Sequence, residues 1–419
     1  MRIGNNYKVC RQGIMERNYP KITVTGKCEK FLKDGHVWVY DNEVISGGEL
    51  CRDGEITDVL SERGKWLGAG FYNSNSKIRV RIISRNTNDR FDPSFWHRRV
   101  EYAVSYRKTV MGDDFDCCRL IFGEADGISG LTVDKFGTVL VTEVLCLGTD
   151  RIKSVLYDAL VDVLATEGCK VTAIYERSDS PIRAKEGLEP YTGYYLKPDT
   201  DDGGTVRITE NGIKYDVDYI NGQKTGFFLD QKYNRLAVSR IAGGKRVLDC
   251  CTHTGAFALG AAAGGAASVT AVDISSDALK SAEHNADIND LSDRVEFVRA
   301  DVFEYLTALA KERKGAFDFI VLDPPAFTKS AATARNAYLG YREINTLALK
   351  ALPLGGYLAT CSCSHFMTEE MFARMLADAA RLSDSRLRII EIRRQSPDHP
   401  VLMGVPETLY LKFYLLQKV

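Results

Sequence analysis

Four aspartates and two cysteines recur at one kind of place in this chain, the end of a short apolar run. Arg246–Leu248 runs into Asp249, Val269–Val272 into Asp273 and Phe319–Leu322 into Asp323. Val295–Val298 precedes Asp301, and Tyr357–Thr360 leads to Cys361 and Cys363. In a parallel sheet, ligands gather beyond the carboxyl ends of the strands. A carboxylate there can accept the hydroxyl protons of a ribose, as Asp273 would, or the amine of an adenine, as Asp301 would. The turn Asp249-Cys250-Cys251-Thr252-His253-Thr254-Gly255 lacks the glycine fingerprint that lets a backbone approach a pyrophosphate. Three acids without a phosphate cradle suit an adenosine that carries a positive sulfonium. Each Asp also suits a helix N-cap, the commonest task for Asp after a strand. Asp273, before Ile274-Ser275-Ser276, fits that alternative well.

Asp323 is followed by Pro324 and Pro325. Two prolines continue neither a sheet nor a helix interior, so they fix a stiff turn. Such a turn can hold the Asp side chain and the Pro324 carbonyl beside a planar base; the alternative is a rigid loop with a solvated Asp. Carbon 5 of a pyrimidine is a poor nucleophile. A thiolate added to carbon 6 makes the ring an enamine whose carbon 5 can attack a sulfonium methyl. A cysteine at the end of the fifth run would serve, and a buried core cysteine is the competing reading.

The elements that must position these residues follow from the spacing. Helical stretches over Phe257–Ala263, Ser276–Ile288, Phe303–Arg313, Tyr341–Ala351 and Thr368–Ala380 separate the runs, which argues for an α/β doubly wound parallel sheet. Two late strands are expected near Leu387–Ile392 and Leu409–Leu416. The clearest linker is 199–204, rich in Asp and Gly. Before it, residues 22–85 read as short strands with Gly-rich turns, a small β-barrel. A helix over Pro93–Met111 and a second over Ile152–Thr166 mix with strands in a small α+β domain. The expected domains are 20–88, 89–197 and 205–419.

A chain of 419 residues with 45% hydrophobic and 26% charged residues exceeds one core, so two or three domains are expected. No apolar run approaches the ~18 residues of a membrane span. The first residues lack a secretory stretch, which predicts a cytoplasmic protein with reduced thiols for its eleven cysteines. None of the cysteine spacings is that of a zinc site, and no metal is implied. The net charge of −1 gives no global pull on nucleic acid. A local patch is required, and Arg79–Lys108 offers Arg79, Arg81, Arg85, Arg90, Arg98, Arg99, Arg107 and Lys108 among Phe91, Phe95, Trp96 and Tyr106. The alternative is a solvated face with its aromatics in a core. An unpaired barrel edge leaves a homodimer open.

With these residues in view, the chain resembles the bacterial large-subunit rRNA cytosine-5 methyltransferases that carry an N-terminal PUA domain. The likeness runs from about Lys21 onward. It includes Gly35-His36-Val37-Trp38-Val39-Tyr40, with Val37 where proline is usual, and Asp126-Gly127-Ile128-Ser129-Gly130-Leu131. It continues through Lys224-Thr225-Gly226-Phe227-Phe228-Leu229-Asp230-Gln231, Asp323-Pro324-Pro325, Gly340-Tyr341-Arg342-Glu343-Ile344-Asn345 and Ser362-Cys363-Ser364. The resemblance implies a Rossmann-like class I methyltransferase domain after a PUA barrel, with S-adenosyl-L-methionine (SAM) as cofactor and rRNA as partner. By position it makes Cys363, not Cys361, the nucleophile, and sets Asp323 against the pyrimidine. Phe228, Gln231, Asp249, Thr252, Gly255, Asp273, Asp301 and Asp323 would line the SAM pocket. Pro324, Pro325 and Arg177 would meet the substrate, with His399 a further candidate. The Gly-poor turn at Asp249–Gly255 departs from the common Gly-x-Gly form.

Other chemistries stay open on the residues alone. Asp323-Pro324-Pro325-Ala326-Phe327 is similar to the loop that orients an exocyclic amine, although Ala326 breaks its spacing. The product could be a 5-methyluridine. An RNA-binding module with a degenerate catalytic domain is a further alternative, and a Rossmann oxidoreductase lacks its glycines.

Overall fold

A computed structural model describes residues 7–9, 15–200, 203–328 and 333–419. Asp201 and Asp202 of the expected linker lie outside the described residues. Packing divides the chain into two compact units. One takes in Met1–Gly204, Tyr219–Phe227 and Pro400–Thr408; the other takes in Thr205–Asp218, Phe228–His399 and Leu409–Val419.

The first unit begins with a six-stranded sheet. Its strands are Lys21–Val24, Trp38–Tyr40, Val44–Ser46, Ile56–Ser61, Trp66–Tyr72 and Ile78–Ser84. Ile22, Val24, Val39, Val59, Val80 and Ile82 fill its core, each worth ~1.5–3 kcal/mol when buried. A helix, Gly26–Lys33, interrupts the strands, where only strands were expected. Thr25 caps it by accepting from the Cys28 N–H, and only Cys28 and Leu32 are buried. Two apolar contacts leave no visible helical period.

The helix Pro93–Met111 starts where expected, at a Pro after the cap Asp92, whose carboxylate accepts from the Phe95 N–H. Of the two readings of the aromatics in 79–108, the structure supports the core for three of them. Phe91, Phe95 and Trp96 are core residues: Phe95 meets the other two edge-on, and Trp96 stacks on Phe71. Arg107 is fully buried on Asp126. Phe95, Trp96 and Arg107 face inward because they fall on the apolar stripe with Val100, Ala103, Val104 and Met111, and Phe91, ahead of the helix, packs against Phe95 and Trp96. Beside the helix lies a five-stranded sheet, ordered Tyr191–Leu196, Ala173–Ser178, Val139–Val144, Leu131–Phe136, Cys117–Phe122. Its parallel pair, Val139–Val144 with Ala173–Ser178, is bridged by the helix Leu147–Thr166.

The second unit opens on a hairpin, Thr205–Glu210 with Ile213–Asp218, that sequence reasoning missed. Its main sheet has seven strands in the order Val295–Arg299, Ser268–Asp273, Arg246–Cys250, Phe319–Leu322, Tyr357–Ser362, Lys412–Lys418, Leu387–Arg393. The first five are parallel, and Lys412–Lys418 enters antiparallel between the fifth strand and Leu387–Arg393. Helices Ala256–Ala263, Ser276–Asp287, Val302–Glu312, Ala334–Ala351 and Glu369–Leu382 follow the five parallel strands in turn. Leu248, Ile320, Leu322, Leu358, Tyr341 and Phe372 share one buried core. One boundary moves: Asp249 lies inside its strand, paired between Ala271 and Val321, instead of following it.

Candidate active site

The turn after the first strand makes three left-handed corners. Cys251, His253 and Gly255 have φ of 62°, 51° and 83°. Left-handed backbone favours glycine, so this Gly-poor segment adopts the corners of a glycine-rich one with side chains at two of them. Gly255 carries the third for a packing reason: a Cβ there would stand 3.0 Å from the Ala282 Cβ. The turn is held from within. Thr252 donates its hydroxyl to Asp249 Oδ2 at 2.6 Å, and the Ala258 N–H donates to the same oxygen at 3.0 Å. Asp249 Oδ1 is buried with no hydrogen-bond partner. Burial, with Asp323 nearby, pushes the Asp249 carboxyl up to about 7.

The other acids are placed by backbone donors. Asp273 accepts from the His253 N–H and the Ser275 N–H, at 2.9 Å each. The cap of the following helix is Ser275, not Asp273. Asp301 is a cap: its Oδ1 takes the N–H groups of Phe303 and Glu304. Thus the N-cap alternative holds for Asp301 and fails for Asp273. The Phe228 ring meets the His253 imidazole edge-on at 5.3 Å between centroids. The Phe228 carbonyl is fixed by Arg235, which makes a buried bidentate pair with Glu210.

Charge gathers where these elements meet. Burial raises the Cys251 thiol, and Asp273, Asp323, Asp249 and Asp301 all push it further in the same direction. Four carboxylates converge on this turn, and the nearby Arg235 is taken up by Glu210. A cationic ligand with hydroxyls and an amine fits such a site: the acids balance its charge, and Asp249 Oδ1 lacks a donor.

At the ends of the fourth and fifth strands, Gln231 donates its Nε2–H to Asp323 Oδ2 at 3.0 Å and accepts from Asn234 at 2.6 Å. Burial and the neighbouring Asp230 raise the Asp323 carboxyl to about 7. Pro324 is buried and Pro325 exposed. The two cysteines of the fifth strand part company. Cys361 is fully buried within hydrogen-bonding reach of Gln231 and Asp323, and burial drives its thiol far up. Cys363, just past the strand end, is half-buried.

Lys412, which sequence reasoning missed, lies within the field of Cys363. Its ammonium is buried and donates to the carbonyls of Ser364 at 2.5 Å and Tyr410 at 2.7 Å. Burial lowers it to about 8, and the charge of Cys363 pulls it back up. The available signal was one lysine leading the buried run Phe413–Leu416. Asp230, which accepts from the Tyr410 hydroxyl, and Asn234 were missed as well.

Arg177 and His399 are each held by partners within their own unit. Arg177 belongs to the first unit, where it donates to the Gly222 carbonyl at 2.8 Å. His399 is buried against Asp398 at 2.8 Å.

This fold and site define a class I SAM-dependent methyltransferase. Residues 198–411 match the S-adenosylmethionine-dependent methyltransferase family, and residues 22–85 match the PUA-like domain. The chain is 39% identical over 400 residues to the ribosomal RNA large subunit methyltransferase I of Klebsiella pneumoniae (strain ATCC 700721 / MGH 78578), spanning 94% of this chain and 97% of that protein. It is 40% identical over 390 residues to the Escherichia coli UTI89 protein of the same name, spanning 92% and 96%. The chain belongs to the family of PUA-domain-containing rRNA large-subunit methyltransferases. A Streptococcus mutans protein described as a SAM-dependent methyltransferase shares the fold, with a TM-score of 0.80 at 22% identity over 96% of this chain and 100% of its own.

Proposed function

We propose that this enzyme methylates carbon 5 of a cytosine in large-subunit (23S) rRNA through a covalent adduct with Cys363. The relatives named above supply the substrate class. The observation that carries the chemistry is the contrast at the fifth strand end. Cys361 is sealed in and bound to its neighbours, whereas Cys363 is accessible and lies within the field of a buried ammonium.

SAM, when bound, supplies an electrophilic methyl group. Phe228, Gln231, Asp249, Thr252, Gly255, Asp273, Asp301 and Asp323 would hold it. Asp301 would use Oδ2 for the adenine amine, since the cap engages Oδ1. The Cys363 thiolate adds to carbon 6, forming an S–C bond and making carbon 5 nucleophilic. Once carbon 5 carries the methyl, its proton passes to solvent, the thiolate leaves with the S–C pair as the carbon 5–carbon 6 double bond re-forms, and N3 returns to Asp323 any proton it took from it. Asp323, raised to about 7, keeps a neutral fraction at neutral pH. Its proton can be donated to N3 of cytosine, which bears none; N3 of uracil carries its own. Pro324 and Pro325 stiffen the turn beside the base, and Arg177 remains a candidate RNA contact. Cys28, Cys51, Cys146, Cys169, Cys250, Cys251 and Cys361 are free thiols, which suits a reducing cytoplasm.

The amine-methylating alternative is disfavoured by Phe327. Its ring packs on the buried Tyr341 at 4.5 Å instead of standing free to orient an amine. The test is trapping on 5-fluorocytosine-substituted large-subunit rRNA with SAM. A stable protein–RNA adduct, absent in Cys363→Ala, is expected. Nucleoside mass spectrometry showing an N-methylated base or 5-methyluridine would overturn the assignment.

A further inference from the structure

Most of the cationic stretch 79–108 is spent inside the first unit. Arg81 is shared by Glu124 and Glu186 at 3.0 Å each, and Arg107 is bound to Asp126. Two others of the stretch, Arg85 and Arg99, line a cavity of about 430 Å³ among residues 82–85, the helix Pro93–Met111 and the turn 124–127. Ligand pockets span ~300–1,000 Å³.

The charge within it can be followed bond by bond. Glu124 accepts from Arg81 and from the Trp38 indole at 3.0 Å each. Asp126 accepts from both terminal nitrogens of Arg107 and from the Phe122 N–H. Both carboxylates of the lining are thus engaged. Arg85 and Arg99 donate only to backbone carbonyls, of His36 at 2.7 Å and Ile83 at 3.0 Å. Those bonds aim the guanidinium groups without neutralising them. Burial lowers both arginines, the mark of desolvated cations. One helical turn apart on the same wall stand Tyr102 and Tyr106, 65% and 37% exposed. Tyr106 rests on the Arg107 guanidinium at 5.1 Å, and Arg99 lies over the Phe95 ring at 5.1 Å and within the field of Asp89; Tyr102, the more exposed ring, stands beside Arg99.

We propose that this cavity is a nucleotide subsite for a single-stranded segment of the RNA, with a base stacked on Tyr102 and adjoining phosphates held by Arg85 and Arg99. The proposal rests on the reading of the chain as an RNA methyltransferase. An acidic protein surface would use the arginines but not the rings.

The test is equilibrium binding of protein-free large-subunit rRNA by the full chain, with SAM affinity by calorimetry as the folding control. Tyr102→Ala is expected to weaken rRNA binding about tenfold, and Tyr102→Trp to preserve it. Arg85→Glu is expected to weaken binding and to lower the salt dependence, by about 0.7 in log–log slope for each phosphate no longer neutralised. Unchanged rRNA affinity in Tyr102→Ala with Arg85→Glu combined, while SAM binding is intact, overturns the subsite. So does a loss seen only with ribosomal particles that carry protein. Because the readout is binding, a wild type that fails to produce 5-methylcytosine counts against the proposed reaction and leaves this result separate.

Discussion

The two halves of the sheet's carboxyl edge hold their polar groups by different means. Around the first three strands, acids rest on main-chain N–H groups: Ala258 for Asp249, His253 and Ser275 for Asp273, Phe303 and Glu304 for Asp301. Around the fourth and fifth strands, side chains hold side chains: Gln231 clasps Asp323, and Cys361 leans on both. Main-chain donors are fixed by the fold and give a cradle of set charge. A side-chain clasp can change partners and protonation, which suits the half where a bond must form and break.

Substitutions on the target half should cost the most. Cys363→Ala is expected to lower kcat by roughly 10³–10⁶-fold, and Cys361→Ser by less than about tenfold, in single-turnover assays. The reverse order would exchange the two roles. Next comes Lys412→Met, which keeps the volume and removes the charge. The acid limb of kcat/KM should move up by about one pH unit, because the thiolate loses a cation in a buried setting. An unmoved limb would leave Lys412 a purely structural residue.

The cradle half should answer through cofactor binding. A cation favours an ionised carboxylate, so SAM binding should release a proton from Asp249, raised to about 7. SAM affinity should therefore climb as pH rises toward 7, by up to about tenfold per unit, and flatten above it. Asp249→Asn should remove that slope in calorimetry. Without cofactor the sign reverses. A carboxyl raised in the folded state stabilises it below the unfolded value, and that contribution fades as pH rises through 7. The midpoint of thermal unfolding should accordingly drop between pH 5 and 8. The smallest effect is expected at a corner of the turn. His253→Gly should relieve about 1 kcal/mol of left-handed strain, visible as a higher denaturant midpoint, while SAM binding weakens because Phe228 no longer has an imidazole to rest against.

Much of the second unit was legible because its signals are local. A run of apolar residues followed by Asp marks a strand end whatever the rest of the chain does, and all five parallel strands appeared in order. The register of Lys412–Lys418 was not legible. Its placement between Tyr357–Ser362 and Leu387–Arg393 depends on pairing between segments far apart in sequence. Lys412 was hidden for the same reason, since its role is set by a strand end about fifty residues earlier. Phe95 and Trp96 were readable in principle: with Val100, Ala103 and Val104 they follow a helical stripe, and period outweighs composition when the two disagree. The corner at Cys251 had no sequence signal, because cysteine is not a type that left-handed backbone selects; histidine is enriched there, so His253 carried only a weak one.

The chain passes back and forth between its two units, and Pro400–Thr408 belongs to the first of them. On the ribosome that unit cannot be complete until nearly the whole polypeptide has emerged. A nascent chain halted near residue 204 would lack two of the pieces from which its own core is assembled, and an excised second unit would trail two stretches with nothing to rest on. Splitting this enzyme into working halves therefore takes more than one cut.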